Sequence, residues 1–139
     1  MEKASFSIAN FYFDKVNIDL EYRKGKTYDV SIKPRGVFDG ESKSYELTFD
    51  FEAFSETEED SKTPFVSLRC VGEFEFENVN SLEDIPSFFY KNALALLFPY
   101  LRSFISSVTI QLNRSPLMLP TLNLSSLESV LIEKTDIKK

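Results

Sequence analysis

The chain contains no histidine. That absence excludes Ser-His-Asp and Cys-His catalysis and removes the commonest zinc ligand. Cysteine occurs once, at Cys70, so no disulfide can close within one chain. Glycine occurs only four times, and no phosphate loop, metal-ligand cluster or nucleophile constellation stands out. No apolar run approaches the roughly 20 residues that a membrane-spanning helix requires. The opening "MEKASFSIANFYF" lacks the apolar region and small-residue cleavage site of a signal peptide. A cytoplasmic protein with no membrane insertion is therefore expected. Bases are scarce: 16 against 22 acids, a net charge of −6. Phosphate binding needs a basic surface, so nucleic acid is not the expected partner. A carboxylate pair is the one catalytic chemistry left open, but the acids alternate along surface patterns. The expectation is a protein that is not an enzyme and uses no cofactor.

What the chain does have is aromatic side chains: 14 Phe and 6 Tyr, with no Trp, in 139 residues. That length fits one domain spanning residues 1–139. Most of this aromatic load must form the core, and the rest must be a sticky surface.

The first half alternates with the period of strands. In "SFSIANFYFDKVNIDLEY", Phe6 and Ile8 share a phase, Phe11 and Phe13 take the other, and Val16, Ile18, Leu20 and Tyr22 return to the first. Two phase changes predict a bulged or bent strand. "RKGK" is a turn, and "TYDVSIKP" is a second strand that Pro34 is expected to end. In "SYELTFDFEAF", Tyr45, Leu47, Phe49 and Phe51 face one way and Glu46, Thr48, Asp50 and Glu52 the other, the mark of a half-buried antiparallel strand. The acidic "SETEEDSKT" is a solvated loop. "PFVSLRCVGEFEFE" then sets Val66, Leu68, Cys70, Phe74 and Phe76 against Glu73, Glu75 and Glu77.

The second half changes to helical spacing. Ser81 with Asp84 makes a capping box. A short helix is expected over 86–96, and a longer one from Pro99, which suits a first turn. Leu101, Phe104, Ile105, Val108 and Leu112 form its apolar stripe. Ser125 or Ser126 would cap a last helix, "SLESVLIEKT", and the lysine-rich end "IEKTDIKK" would be a frayed, solvated terminus. The fold class is α+β: a four-stranded antiparallel sheet, a long helix, an extended proline-containing loop and a C-terminal helix.

That loop, "PLMLPTLNL", is apolar yet irregular, because Pro116 and Pro120 both lack a backbone donor. It must be covered by its own chain, by a sister subunit or by something it binds.

The order of elements, with "NALALLFPYLRSFISSVTIQL" and "LPTLNL", resembles the SecB family of export chaperones. The residues that carry the likeness are Asn92, Phe98, Pro99, Tyr100, Arg102, Pro120, Leu122, Asn123 and Leu124, with Phe6, Ile8, Phe11 and Tyr12 in the first strand. The resemblance implies an ATP-independent holdase for unfolded polypeptide, assembled as a homotetramer, a dimer of dimers. The client groove it implies is lined by Phe98, Tyr100, Phe104, Leu117, Met118, Leu119, Leu122 and Leu124. It also implies an acidic face that docks a SecA-type motor, here at Lys15, Asp19, Ser67, Glu73 and Glu75. Lys15 and Ser67 stand where the family has acids, so motor docking is expected to be weak. The client is then an exported chain, or a dedicated one such as an antitoxin. The alternative is a SecB-fold oligomer with one folded partner and no general client binding.

Overall fold

The computed structural model describes residues 3–56, 63–113, 115–119 and 123–138. The order is β1 (Ser5–Ile18), β2 (Tyr28–Asp39), β3 (Ser44–Ser55), β4 (Val66–Glu77), α1 (Phe89–Gln111), α2 (Leu124–Glu133) and β5 (Thr135–Ile137). The strands form one sheet in the order β1-β4-β3-β2-β5, antiparallel except for β5, which runs parallel to β2. The expected solvated loop falls largely on residues 57–62, outside the described residues.

The phase changes in β1 are two irregularities in its pairing with β4, one between Ile8 and Asn10 and one between Phe13 and Lys15. Each skips one residue, Ala9 or Asp14, and so resets the alternation. Phe6, Ile8, Phe11, Phe13, Val16 and Ile18 consequently pair with Phe76, Phe74, Gly72, Cys70, Leu68 and Val66, all on the helix-covered side. Leu20 and Tyr22 do not continue the strand. They belong to a single turn of 3-10 helix, Leu20–Tyr22, capped by the Asp19 carboxylate, which accepts from the Glu21 N–H at 3.0 Å.

On that side lies the core. Tyr45, Leu47, Phe49, Phe51, Phe74, Phe89, Leu97, Leu101 and Ile105 are fully buried. Each large side chain so covered contributes about 1.5–3 kcal/mol of transfer free energy. Phe89 is the hub, meeting Phe6, Tyr45, Phe74 and Phe76 edge-on with centroids 4.8–5.6 Å apart. Leu97 packs so close to Gly72 that a Cβ there would lie 3.0 Å from it.

Four expectations need correcting. Pro99 does not start a helix; it lies inside the continuous α1. It lacks the N–H that would bond the Ala95 carbonyl, but Ala95, Pro99 and Tyr100 are all exposed, so the freed carbonyl is not trapped in the core. Pro34 does not end β2. Gly36, in phase with it, donates to Lys134 O at 3.1 Å on the side away from β3, so the donor Pro34 lacks would have pointed to that outer edge and not into the β3 ladder. The last helix is capped by Asn123, whose side chain accepts from Ser126 N at 3.2 Å, not by a serine. The C-terminal residues do not fray: β5 adds to β2, with Lys138 N donating to Phe38 O at 2.8 Å. The Ser81–Asp84 capping box is present, but it opens a short 3-10 turn (Leu82–Asp84) ahead of α1.

The expectation that no run approaches membrane-spanning length also needs correcting: α1 is long and apolar enough to cross a membrane by length and composition. It owes this to carrying hydroxyl and apolar residues in place of charges. Here one of its faces packs on the sheet.

Candidate functional site

The segment 115–119 has no regular structure, yet side chains satisfy its backbone one group at a time. Arg23 Nη1 donates to Ser115 O at 3.0 Å, and Arg102 Nη2 to Leu119 O at 2.9 Å. Ser106 Oγ donates to Leu117 O at 3.2 Å, while Leu117 N donates to Thr109 Oγ1 at 2.9 Å. The Tyr28 hydroxyl donates to Met118 O at 2.8 Å and accepts from Met118 N at 3.2 Å, holding one residue at both its polar groups. Arg102, Ser106 and Thr109 recur every three or four residues along one side of α1. The hydroxyl face of this helix therefore grips the loop.

This grip decides which side chains face out. Leu117 and Leu119 point into the core, Leu119 being 2% exposed, whereas Met118 between them is 59% exposed. Of the other residues expected in the groove, Phe98 is in the core, edge-on to Phe49. Tyr100 is exposed and stacks on Phe11 with centroids 4.0 Å apart, and half-buried Phe104 stacks on Phe13 at the same spacing. Leu124 is half-buried at the start of α2, and Leu122 lies outside the described residues. At 100° per residue, Tyr100 and Phe104 lie on the opposite side of α1 from Arg102, Ser106 and Thr109. The structure thus separates the expected set: Tyr100 and Phe104 border β1, and Met118 stands at the start of β2.

Beside Met118 runs the outer edge of β2. β5 pairs with it only at 36–38, and among the described residues no backbone group pairs with the outer edge over 28–35. Tyr28, Val30 and Ile32, in phase with Gly36, aim both donor and acceptor outward, and Pro34 its acceptor alone. An open groove of about 550 Å³ follows this edge, lined by Ile32, Lys33, Pro34, Arg35 and Asp50, and by Val130 and Lys134 of the α2 end. A free sheet edge that could pair with a client is expected from the strand pattern, but not this one, because Pro34 lies inside β2 and does not end it.

The residues expected to dock a motor lie mostly on the other face of the sheet. Lys15 pairs with Arg69, Ser67 with Asn17, Glu73 with Asn10 and Glu75 with Ser7. Asp19 lies beyond β1, and its carboxylate is used in capping. The centre of this face is less wet than its alternation suggests: Thr48 and Val71 are buried side by side, next to Tyr12. Partial desolvation, reinforced by Glu46 and Glu73, raises the Tyr12 phenol pKa. The Arg69 guanidinium, 2.7 Å from Asp14, holds that carboxyl below its usual range. Cys70 is buried, which pushes its thiol up to about 12 and keeps it protonated and inert. Among the described residues, no group of three His, Cys, Asp or Glu side chains is placed to hold a metal ion.

The family model described as "Preprotein translocase subunit SecB" matches residues 27–130. The uncharacterized protein MJ0357 of Methanocaldococcus jannaschii is 31% identical over 130 residues, covering 87% of this chain and 72% of that protein. Among solved structures, the fold is shared with the Mycobacterium tuberculosis Rv1957 SecB-like chaperone, determined in complex with a ChAD peptide from the Rv1956 HigA1 antitoxin. That match has a TM-score of 0.67 and 16% identity, and covers 84% of this chain and 90% of that one. With a family match across most of its length and the same sheet-then-helices architecture, the chain belongs to the SecB family of cytoplasmic, non-enzymatic chaperones.

Proposed function

We propose that this chain, as a single SecB-like domain, is an ATP-independent holdase that binds unfolded or extended polypeptide along the outer edge of β2. The observation that carries the reading is the juxtaposition at that edge. A run of outward backbone donors and acceptors lies between an exposed Met118 on a pinned backbone and the apolar end of α2. An extended client gains backbone bonds from the edge and side-chain contact from Met118 and Val130. The net charge of −6 favours basic client segments and disfavours nucleic acid and anionic membranes.

The working unit in this reading is a homotetramer, a dimer of dimers. Phe11, Val16, Phe88, Leu96, Tyr100 and Ile110 are exposed on β1, on α1 and at its start, an apolar surface of the kind that assembly covers. Docking to a translocation motor is weak in this reading, because Lys15 puts positive charge, and Ser67 a neutral side chain, on the face where acids are needed. The peptide-bound Mycobacterium relative lends support to a dedicated client such as an antitoxin.

A second reading is favoured by the burial of Leu117 and Leu119 in a closed loop: a SecB-fold oligomer that binds one folded partner. The test is suppression of aggregation of several unrelated unfolded proteins. Suppression of all of them, reduced in Met118→Asp, is the expected result. Failure with every client except one partner selects the second reading.

A further inference from the structure

β5 (Thr135–Ile137) pairs with β2 only at 36–38. It sits on the edge along which the client is proposed to bind. We infer that β5 is a ruler: it blocks β2 at 36–38 and so limits the length of extended polypeptide that each protomer holds.

The geometry sets the limit. β2 is 12 residues long, and β5 pairs with Gly36, Val37 and Phe38. The open part, 28–35, spans about 26 Å at roughly 3.3 Å per residue, room for about seven or eight client residues. Past that point an entering strand meets Lys134 O, which already accepts from Gly36 N, and then β5 itself.

The block is held in two parts of unequal strength. Its first residue is anchored in the interior. Thr135 Oγ1 and the buried Tyr45 Oη are 2.6 Å apart, and Thr135 Oγ1 also lies 2.7 Å from Leu131 O. Tyr45 reaches β5 by passing beneath Gly36, where a Cβ would lie 1.9 Å from its hydroxyl oxygen. The outer part is held weakly. Asp136, Ile137 and Lys138 are exposed, and Lys138 adds an ion pair with Asp39 at 3.7 Å beside its bond to Phe38 O. Exposed pairs of this kind add little. A long client entering from Tyr28 meets the Thr135 anchor before the outer part, so it can compete for 36–38 only where both parts are loosened.

The inference rests on the proposed β2 client site, and the experiment separates the two. Basic peptides of alternating Val and Lys, capped and 6, 8, 10 or 12 residues long, are titrated against the full-length protein and against Thr135→Val combined with Lys138→Pro. That variant removes the Thr135 hydroxyl from Tyr45 and Leu131, the donor to Phe38 O and the ion pair to Asp39, and so frees β5 at both its parts. Amide exchange of Val30 and Ile32 is followed at saturation. For the wild type, affinity should rise to about eight residues and then level off. For the double variant it should keep rising to about eleven, with a gap of at least about threefold at 12 residues, as expected for one or two added backbone bonds. Equal plateaus with Val30 and Ile32 protected would overturn the ruler and leave the client site standing. If those two amides stay unprotected, the β2 client site fails and the ruler with it.

Discussion

The two long edges of the sheet face the same hazard and meet it differently. Both β1 and β2 present backbone groups that invite another strand. β1 carries two bulges, and the helix side next to it bears the exposed aromatic stack of Phe11 on Tyr100. A kinked edge beside a broad apolar border suits a partner that stays. β2 is unbulged, is interrupted by Pro34 and is blocked by β5, which leaves a short regular run beside one flexible Met118. A short, narrow edge suits a partner that comes and goes. Edge geometry and the width of the apolar border together thus separate assembly from client capture.

The largest effect expected is at the loop beside β2. Leu119→Asp buries a charge in the core and should cost about 4 kcal/mol or more, seen as loss of cooperative urea unfolding at room temperature. Met118→Asp, one residue away, should change stability by no more than about 0.5 kcal/mol while weakening client binding at least about tenfold. Equal effects of the two substitutions would mean that the alternation of buried and exposed side chains is wrong.

At the β1 edge, Phe11→Asp should leave the protomer folded and raise the dissociation constant of the assembly by about a hundredfold, as at a buried aromatic anchor. Sedimentation velocity reads the mass. An unchanged oligomer would break the comparison, since the aromatic border would then have no role in assembly.

Gly36→Val tests how β2 is blocked. Its side chain must displace the Tyr45 hydroxyl from beneath the strand, which should cost about 1–3 kcal/mol in thermal or urea unfolding. A neutral result would show that β5 does not depend on that passage.

The smallest effect concerns the face shared by both edges. Lys15→Asp combined with Ser67→Glu should tighten binding of a basic motor-derived peptide by about tenfold at low salt, and by less at physiological ionic strength. Isothermal titration at two salt concentrations measures this, and no gain at either would remove this face as a docking surface.

Much of the fold was legible because burial on one face imposes a period. The two phase shifts of β1 could be read directly, since six apolar residues must all reach the helix side, whereas their placement at Ala9 and Asp14 comes from the register with β4. Pro99 and Pro34 were misread for one shared reason. A proline breaks an element only where its missing donor is needed, and both face outward, which no local pattern reveals. β5 escaped because three residues, two of them exposed, have no hydrophobic period. At the candidate site, Leu117, Met118 and Leu119 look alike in sequence. What distinguishes them is the set of bonds from Tyr28, Arg102, Ser106 and Thr109, and side-chain bonds to an irregular backbone leave no spacing signal. Asn123 was noticed as part of "LPTLNL", and its capping of α2 explains why that motif ends as it does.

The bulges of β1 carry a consequence for length variation in this chain. β1 has 14 residues, and β2, β3 and β4 have 12 each. Without Ala9 and Asp14, β1 would match its neighbours in length and alternate without interruption, its six apolar residues still on the helix side. Deleting either residue alone removes one bulge and leaves the other to reset the phase, so the six stay on the helix side in each single deletion as well. A deletion at Ala9 or Asp14 should therefore be tolerated far better than one elsewhere in β1, where no skipped residue is there to absorb it. The double deletion would also straighten the edge, and such a protein should be prone to form fibrils through β1.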